Sequence, residues 1–257
     1  MSDPRLTPDP ERVSRDEMAQ VVRPVVDLCR MPSGPRDRQI LFGDSVRVLH
    51  DAEGWSYIQT AKDGYCGHIR SDSLGPPMDP THYVSAPATH VYERPDFKSP
   101  DVVSLSHASR LSVASITGKF AETSLGYVPT VHLSSVSELS NDPATIAALY
   151  LGTPYLWGGN SRSGIDCSGV IQAALLGCGI SCPGDSDMQQ ALGHDAANTY
   201  QRNDLLFWKG HVALVVDPGT LIHANASAMA CVYELIEATI KRITDQGDGP
   251  VTAHRRL

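Results

Sequence analysis

The sequence predicts two small all-β barrels followed by an α+β domain. Three observations carry this. Up to about residue 138 the chain runs in short alternating stretches broken by Gly, Asp and Pro turns. The pattern recurs at an offset of 59 residues, with Gly67-His68-Ile69-Arg70-Ser71-Asp72-Ser73-Leu74 lining up against Gly126-Tyr127-Val128-Pro129-Thr130-Val131-His132-Leu133. Beyond Ser140 the grammar changes to a capped helix, an apolar helix and apolar strands.

Taken in order, residues 1–20 read as a polar tail with a short helix around 15–22. A first barrel is expected over 21–78, from Leu41-Phe42-Gly43-Asp44 into a strand, Trp55-Ser56-Tyr57-Ile58-Gln59, and the tight turn Asp63-Gly64 into Tyr65-Cys66. Gly75-Pro76-Pro77 and Asp79-Pro80 punctuate the boundary, and a second barrel is expected over 79–138. The last domain is expected over 140–257. Asn141 or Asp142 caps a helix with Pro143 in its first turn. Residues 167–176 are apolar at 170, 171, 174 and 175, and Gly177 and Gly179 end that helix. Strands follow at 204–208, 211–216 and 220–224, with Asp217-Pro218-Gly219 as a turn, and a helix at 235–243.

Composition narrows the function classes. The 257 residues carry Asp+Glu 29 against Lys+Arg 21, a net charge of −8. Such a chain is a poor partner for nucleic acid or an anionic membrane surface. No run approaches the roughly 20 apolar residues of a membrane span. The polar start lacks an apolar signal segment, so a cytoplasmic setting is expected. The six cysteines are scattered and form no CxxC, which argues against a disulfide framework.

Chemistry concentrates around Cys167. A Gly-rich loop, Trp157-Gly158-Gly159-Asn160, leads through Gly164-Ile165-Asp166 to a cysteine in the first helical turn. Unpaired N–H groups there favour negative charge, so a depressed thiol pKa is expected. A thiolate attacks carbonyl carbon, and the same N–H groups can receive the resulting oxyanion. His211 and His223 open the two strands of one later hairpin. If Ala213 falls opposite His223, the two imidazoles share a face, and His223 can orient His211 as base. A one-residue slip separates them. Each residue alone has a plainer reading, as a buried thiol or a polar strand end, and a Cys/His/His zinc site is a further alternative.

Together, Pro154-Tyr155-Leu156-Trp157-Gly158-Gly159, Asp166-Cys167-Ser168-Gly169, Gly210-His211-Val212-Ala213-Leu214 and Leu221-Ile222-His223-Ala224 resemble the four motifs of NlpC-type cell-wall cysteine peptidases, in order, over about 142–257. The resemblance implies a papain-like α+β fold with Cys167 as nucleophile, His211 as base and His223 as its orienting partner. It implies no cofactor and no metal. The implied reaction cuts γ-D-glutamyl–diamino-acid bonds, such as those to meso-diaminopimelate, in peptidoglycan-derived peptides. Tyr155 matches a family tyrosine near the nucleophile, and Asp166, Ser168 and Ser186 match substrate-holding positions. The upstream segments resemble bacterial SH3-like barrels, with His68 where relatives carry an aromatic. In relatives of this layout the first barrel selects short peptides with a free N-terminal L-Ala, and Tyr65 is the position carried over for that role. Rival readings are an N-acetylmuramoyl-L-alanine amidase or acyltransferase on the same fold, and a non-catalytic cell-wall binding module. Asn203 stands where the family commonly has Gly; Asn tolerates left-handed backbone, so the turn can survive.

Overall fold

The computed structural model describes residues 3–196 and 199–257 and divides into two compact units, Met1–Leu139 and Ser140–Leu257. Among the described residues, the regular elements of the first unit are strands and three short 3-10 turns. Its first sheet runs in the order Arg36–Leu41, Val25–Cys29, Cys66–Arg70, Trp55–Thr60, Ser45–Ala52, Glu17–Val21, Leu74–Gly75. Val21, Leu28, Val46, Val48, Ile58 and Ile69 are fully buried within this barrel. The second barrel has a five-stranded sheet, Asp101–Ser106, Ala88–Tyr92, Gly126–Pro129, Phe120–Thr123, Val113–Thr117. A three-stranded sheet of Arg110–Leu111, His82–Val84 and Leu133–Ser135 completes it.

The 59-residue offset holds to the residue. Ser71–Ser73 and Thr130–His132 are both 3-10 turns, followed by strands that begin at Leu74 and Leu133. His68 takes the aromatic's place as a core ring, 8% exposed and 5.0 Å from Tyr57. The two barrels also share a core. Phe42 leaves the first and packs with Val84, Val91, Leu105, Leu111 and Val128 of the second. The Phe42 carbonyl accepts the Arg110 N–H at 2.9 Å. Gly43 makes this approach possible: its φ is +82°, and a Cβ there would stand 2.2 Å from the Arg110 oxygen.

The expected helix around 15–22 is absent. Glu17–Val21 is a strand, paired to Ser45–Val48 on one side and Leu74–Gly75 on the other. Local preference there is weak, and two open strand edges offering ladder hydrogen bonds override it. The tail before it is bound too: the Arg5 carbonyl accepts the Cys66 N–H at 2.7 Å, and Tyr57 Oη accepts the Asp9 N–H at 3.1 Å.

The second unit is a six-stranded antiparallel sheet in the order His194–Asp195, Ala253–Arg256, Leu205–Trp208, His211–Asp217, Thr220–Asn225, Ala230–Leu235. Helix α1 spans Pro143–Ala148, α2 Cys167–Leu176, α3 Ser186–Gln189 and α4 Ile236–Asp245. Strand alternation divides the interior between two layers. Val212, Leu214, Ile222 and Ala224 join α1 and α2 in one core. Ala213, Val215 and Leu221 join Ile236 and Ile243 of α4 in the other. No helix among the described residues is long and apolar enough to cross a membrane.

Candidate active site

Asp166 builds the start of α2. It is the N-cap, and its Oδ1 accepts the Gly169 N–H at 2.7 Å and the Ser168 hydroxyl at 3.0 Å. Its Oδ2 accepts the Gly158 N–H at 2.8 Å, which ties the glycine loop to the helix. The loop lies so close that a Cβ on Gly169 would stand 2.5 Å from the Gly159 carbonyl oxygen. Cys167 is therefore presented in the first helical turn, 7% exposed and within the α2-side core.

The hairpin takes the register in which the two histidines share a face. Leu214 faces Ile222 and Val215 faces Leu221, so Ala213 falls opposite His223. His211 Nε2 lies 2.8 Å from His223 Nδ1. The ladder between these strands begins only at Leu214. Short of it, the Val212 N–H faces the Cys167 sulfur instead. Cys167 thus sits against the residue that follows His211.

The expected depressed thiol is not found. Burial, and then the Asp166 carboxylate, push the Cys167 thiol up to about 12, against the N–H groups of Val212, Ser168 and Cys167. The helix N-terminus acts in the predicted direction, but enclosure in an apolar core outweighs it. His211 is pushed down to about 3 by burial, then by His223 and Arg242, with Glu234 opposing.

The remaining predicted residues fall as follows. Tyr155 is half-buried against the α2-side core, and burial, with Cys167 and Asp166 adding, pushes its phenol up to about 12. Ser168 is buried, and its carbonyl accepts the Gln189 side-chain amide at 3.0 Å. Ser186 is the first residue of α3, whose N-cap is Asp185. Tyr65 belongs to the first unit, 3% exposed, with the Arg38 guanidinium 5.6 Å from its ring centre.

Two further groups reach His223, which is itself fully buried. Asn225 Nδ2 stands 2.9 Å and Glu234 Oε2 3.3 Å from His223 Nε2. The same Glu234 oxygen accepts from Arg242 Nη2 at 2.6 Å and from the Thr239 hydroxyl at 2.9 Å. Asn225 was available to a strand-period reading, two residues beyond His223. Glu234 comes from the next strand, where it faces Leu221, and only the register reveals it. Beyond the imidazoles a cavity of about 450 Å³ opens, lined by Tyr155, His211, Asn225 and the charged Lys209, Arg242 and Asp248 among others. Cys167 does not line it. Among the described residues, no three His, Cys, Asp or Glu side chains are grouped to hold a metal ion.

Comparison with known proteins agrees with this geometry. The NlpC/P60 family profile matches residues 152–244, and that of the bacterial dipeptidyl-peptidase Sh3 domain matches 28–74. Dipeptidyl-peptidase 6 of Lysinibacillus sphaericus is 28% identical over 216 residues, 73% of this chain and 79% of that protein. The gamma-D-glutamyl-L-lysine dipeptidyl-peptidase of Bacillus subtilis (strain 168) is 29% identical over 226 residues, 79% of this chain and 76% of that protein. The crystal structure of an NlpC/P60 family protein from Bacillus cereus superposes with a TM-score of 0.78. That match covers 93% of this chain and 99% of the other at 20% identity, a likeness of fold. A cysteine at a capped helix start, a paired histidine hairpin and both family matches converge: the chain is a cysteine peptidase that carries an NlpC/P60 family domain behind a bacterial dipeptidyl-peptidase SH3 domain.

Proposed function

We propose that the chain hydrolyses the γ-D-glutamyl–diamino-acid bond, with meso-diaminopimelate as the diamino acid, in short peptidoglycan-derived peptides bearing a free N-terminal L-Ala. The observation that carries this is the His211–His223 pair at 2.8 Å, one residue from the N–H that faces Cys167. In this reading His211 takes the thiol proton as sulfur attacks the γ-carbonyl carbon. The N–H groups at the start of α2 receive the oxyanion. His211 then returns the proton to the leaving amine, and activates the water that hydrolyses the thioester.

The base must face the nitrogen that it protonates, so the cavity beyond His211 suits the leaving side. Lys209 and Arg242, with Asp248 in the same lining, suit the distal carboxylate and ammonium of diaminopimelate, and the two cations bring local positive charge to a chain of net charge −8. Tyr155, Asp166, Ser168 and Ser186 are the proposed contacts on the acyl side. All six cysteines are free of disulfides, which fits a reducing, cytoplasmic setting and a role in cell-wall recycling.

The test is incubation with L-Ala-γ-D-Glu-meso-diaminopimelate, with masses read for the wild type and Cys167→Ala. Release of L-Ala-γ-D-Glu by the wild type alone is expected. If no such peptide is cut, the reading fails. The N-acetylated tripeptide should be cut at least ten times more slowly. Equal rates on both peptides would remove the requirement for a free N-terminus.

A further inference from the structure

Resting on the assignment of Cys167 and His211 above, we propose that Glu234 is the positioning residue that fixes the His223 tautomer and supports the His211 imidazolium, and that Arg242 sets the strength of that support. Glu234 faces Leu221 and His223 faces Val232, so Glu234 is diagonal to His223 on one face of the sheet. A carboxylate only accepts, so the 3.3 Å approach of Glu234 Oε2 requires a proton on His223 Nε2. His223 Nδ1 is then a lone pair, and it accepts from His211 Nε2–H across 2.8 Å. That leaves Nδ1 of His211 unprotonated, the state needed to take the thiol proton.

Asn225 pulls the other way. Its Oδ1 accepts the Ala228 N–H at 2.7 Å, so it presents its NH₂ to the same His223 nitrogen at 2.9 Å. A donor there favours the opposite tautomer, with Nδ1–H of His223 directed at His211. The two partners compete for one nitrogen, and the negative charge of Glu234 decides between them. Arg242 neutralises part of that charge at 2.6 Å and lines the cavity with His211. Burial and His223 dominate the downward push on His211, but beneath them Arg242 and Glu234 act with opposite sign. The other charged residues lining the cavity, Lys209 and Asp248, are unchanged in the test variants. The step balances internally: the S–H bond of Cys167 breaks, an N–H bond forms on His211, and no other reactant is needed.

The test is alkylation of Cys167 by iodoacetamide at pH 7 without substrate, mapped by mass against the other five cysteines. Iodide leaves as the S–C bond forms, so the rate reports the population of thiolate. Glu234→Gln is expected to slow Cys167 alkylation tenfold or more, and Arg242→Gln to speed it at least twofold. Both variants lose the same ion pair, so a merely structural role moves both rates in one direction. That result, or an unchanged rate in Glu234→Gln, overturns the proposal. A wild-type Cys167 no more reactive than the half-buried Cys178 overturns the assignment of the base, and this proposal with it.

Discussion

Asn203 holds a left-handed backbone, φ +73°, and passes its side-chain oxygen to the Ala144 N–H at 2.9 Å. The left-handed turn was legible in the residue type. The cap was not, because α1 lies 59 residues away in sequence and its own N-cap, Asp142, makes no side-chain cap bond. The Asp142 carboxylate goes instead to Arg202 at 2.6 Å. Asn203→Gly should keep the turn but lose the cap, costing about 1 kcal/mol. Asn203→Ala should cost about 1 kcal/mol more, since it adds backbone strain. Denaturant midpoints in the order wild type, Gly, Ala would bear this out, and a Gly variant equal to wild type would not. His107 sets a different residue-level effect. It is 1% exposed, and burial pushes its imidazole down to about 4, against the backbone of Ala86, Ser85 and Val84. The unfolded chain therefore takes up the proton first as pH falls. Stability present above 6.5 is lost between 6.5 and 4, by up to about 3 kcal/mol. His107→Gln should shrink the difference between urea midpoints at pH 7.5 and 4.5; an unchanged difference would place the acid sensitivity elsewhere.

Helix α2 begins at Cys167 and ends at Leu176, where the apolar run and Gly177 place its bounds. Strong periodicity flanked by breakers leaves little freedom, and the hairpin of His211–Asp217 and Thr220–Asn225 was legible for the same reason. The strand Ala253–Arg256 gave no such signal, since Ala-His-Arg-Arg reads as a polar tail. Its pairing is set by Asp204, 1% exposed, which holds Arg256 Nη2 at 2.7 Å and His254 Nε2 at 2.8 Å. Such a strand is specified by a buried charge on its neighbour, and one-dimensional patterning cannot display that. Asp204→Asn removes the charge while leaving its size, and should cost about 2–3 kcal/mol. Fraying of residues 253–256 should appear as faster amide exchange in that strand before the rest of the sheet. Uniform exchange would show the strand held by its ladder alone. Glu234 and Arg242 were illegible for a related reason: their place depends on the register of Ala230–Leu235 and on the docking of α4.

At the scale of the molecule, the fold class was legible, strand-rich barrels and then an α+β portion, because periodicity changes along the chain. The repeat of 59 residues was legible as well, down to its 3-10 turns. What the pattern hid was the sharing between the repeats, because Phe42 looks like any strand-end aromatic until its neighbours are known. Phe42→Ala should cost roughly 3 kcal/mol or more, and the loss should be felt in the second barrel although the change lies in the first. Tryptophan and tyrosine probes of the two barrels should lose signal at one common midpoint; separate midpoints in the wild type would show them folding apart. The two repeats thus resemble a tandem duplication whose copies are no longer interchangeable. A cut between residues 78 and 79 would leave one piece with an uncovered phenyl ring and the other with a hole in its interior. Whatever ancestry produced the pair, the chain now inherits them as a single heirloom.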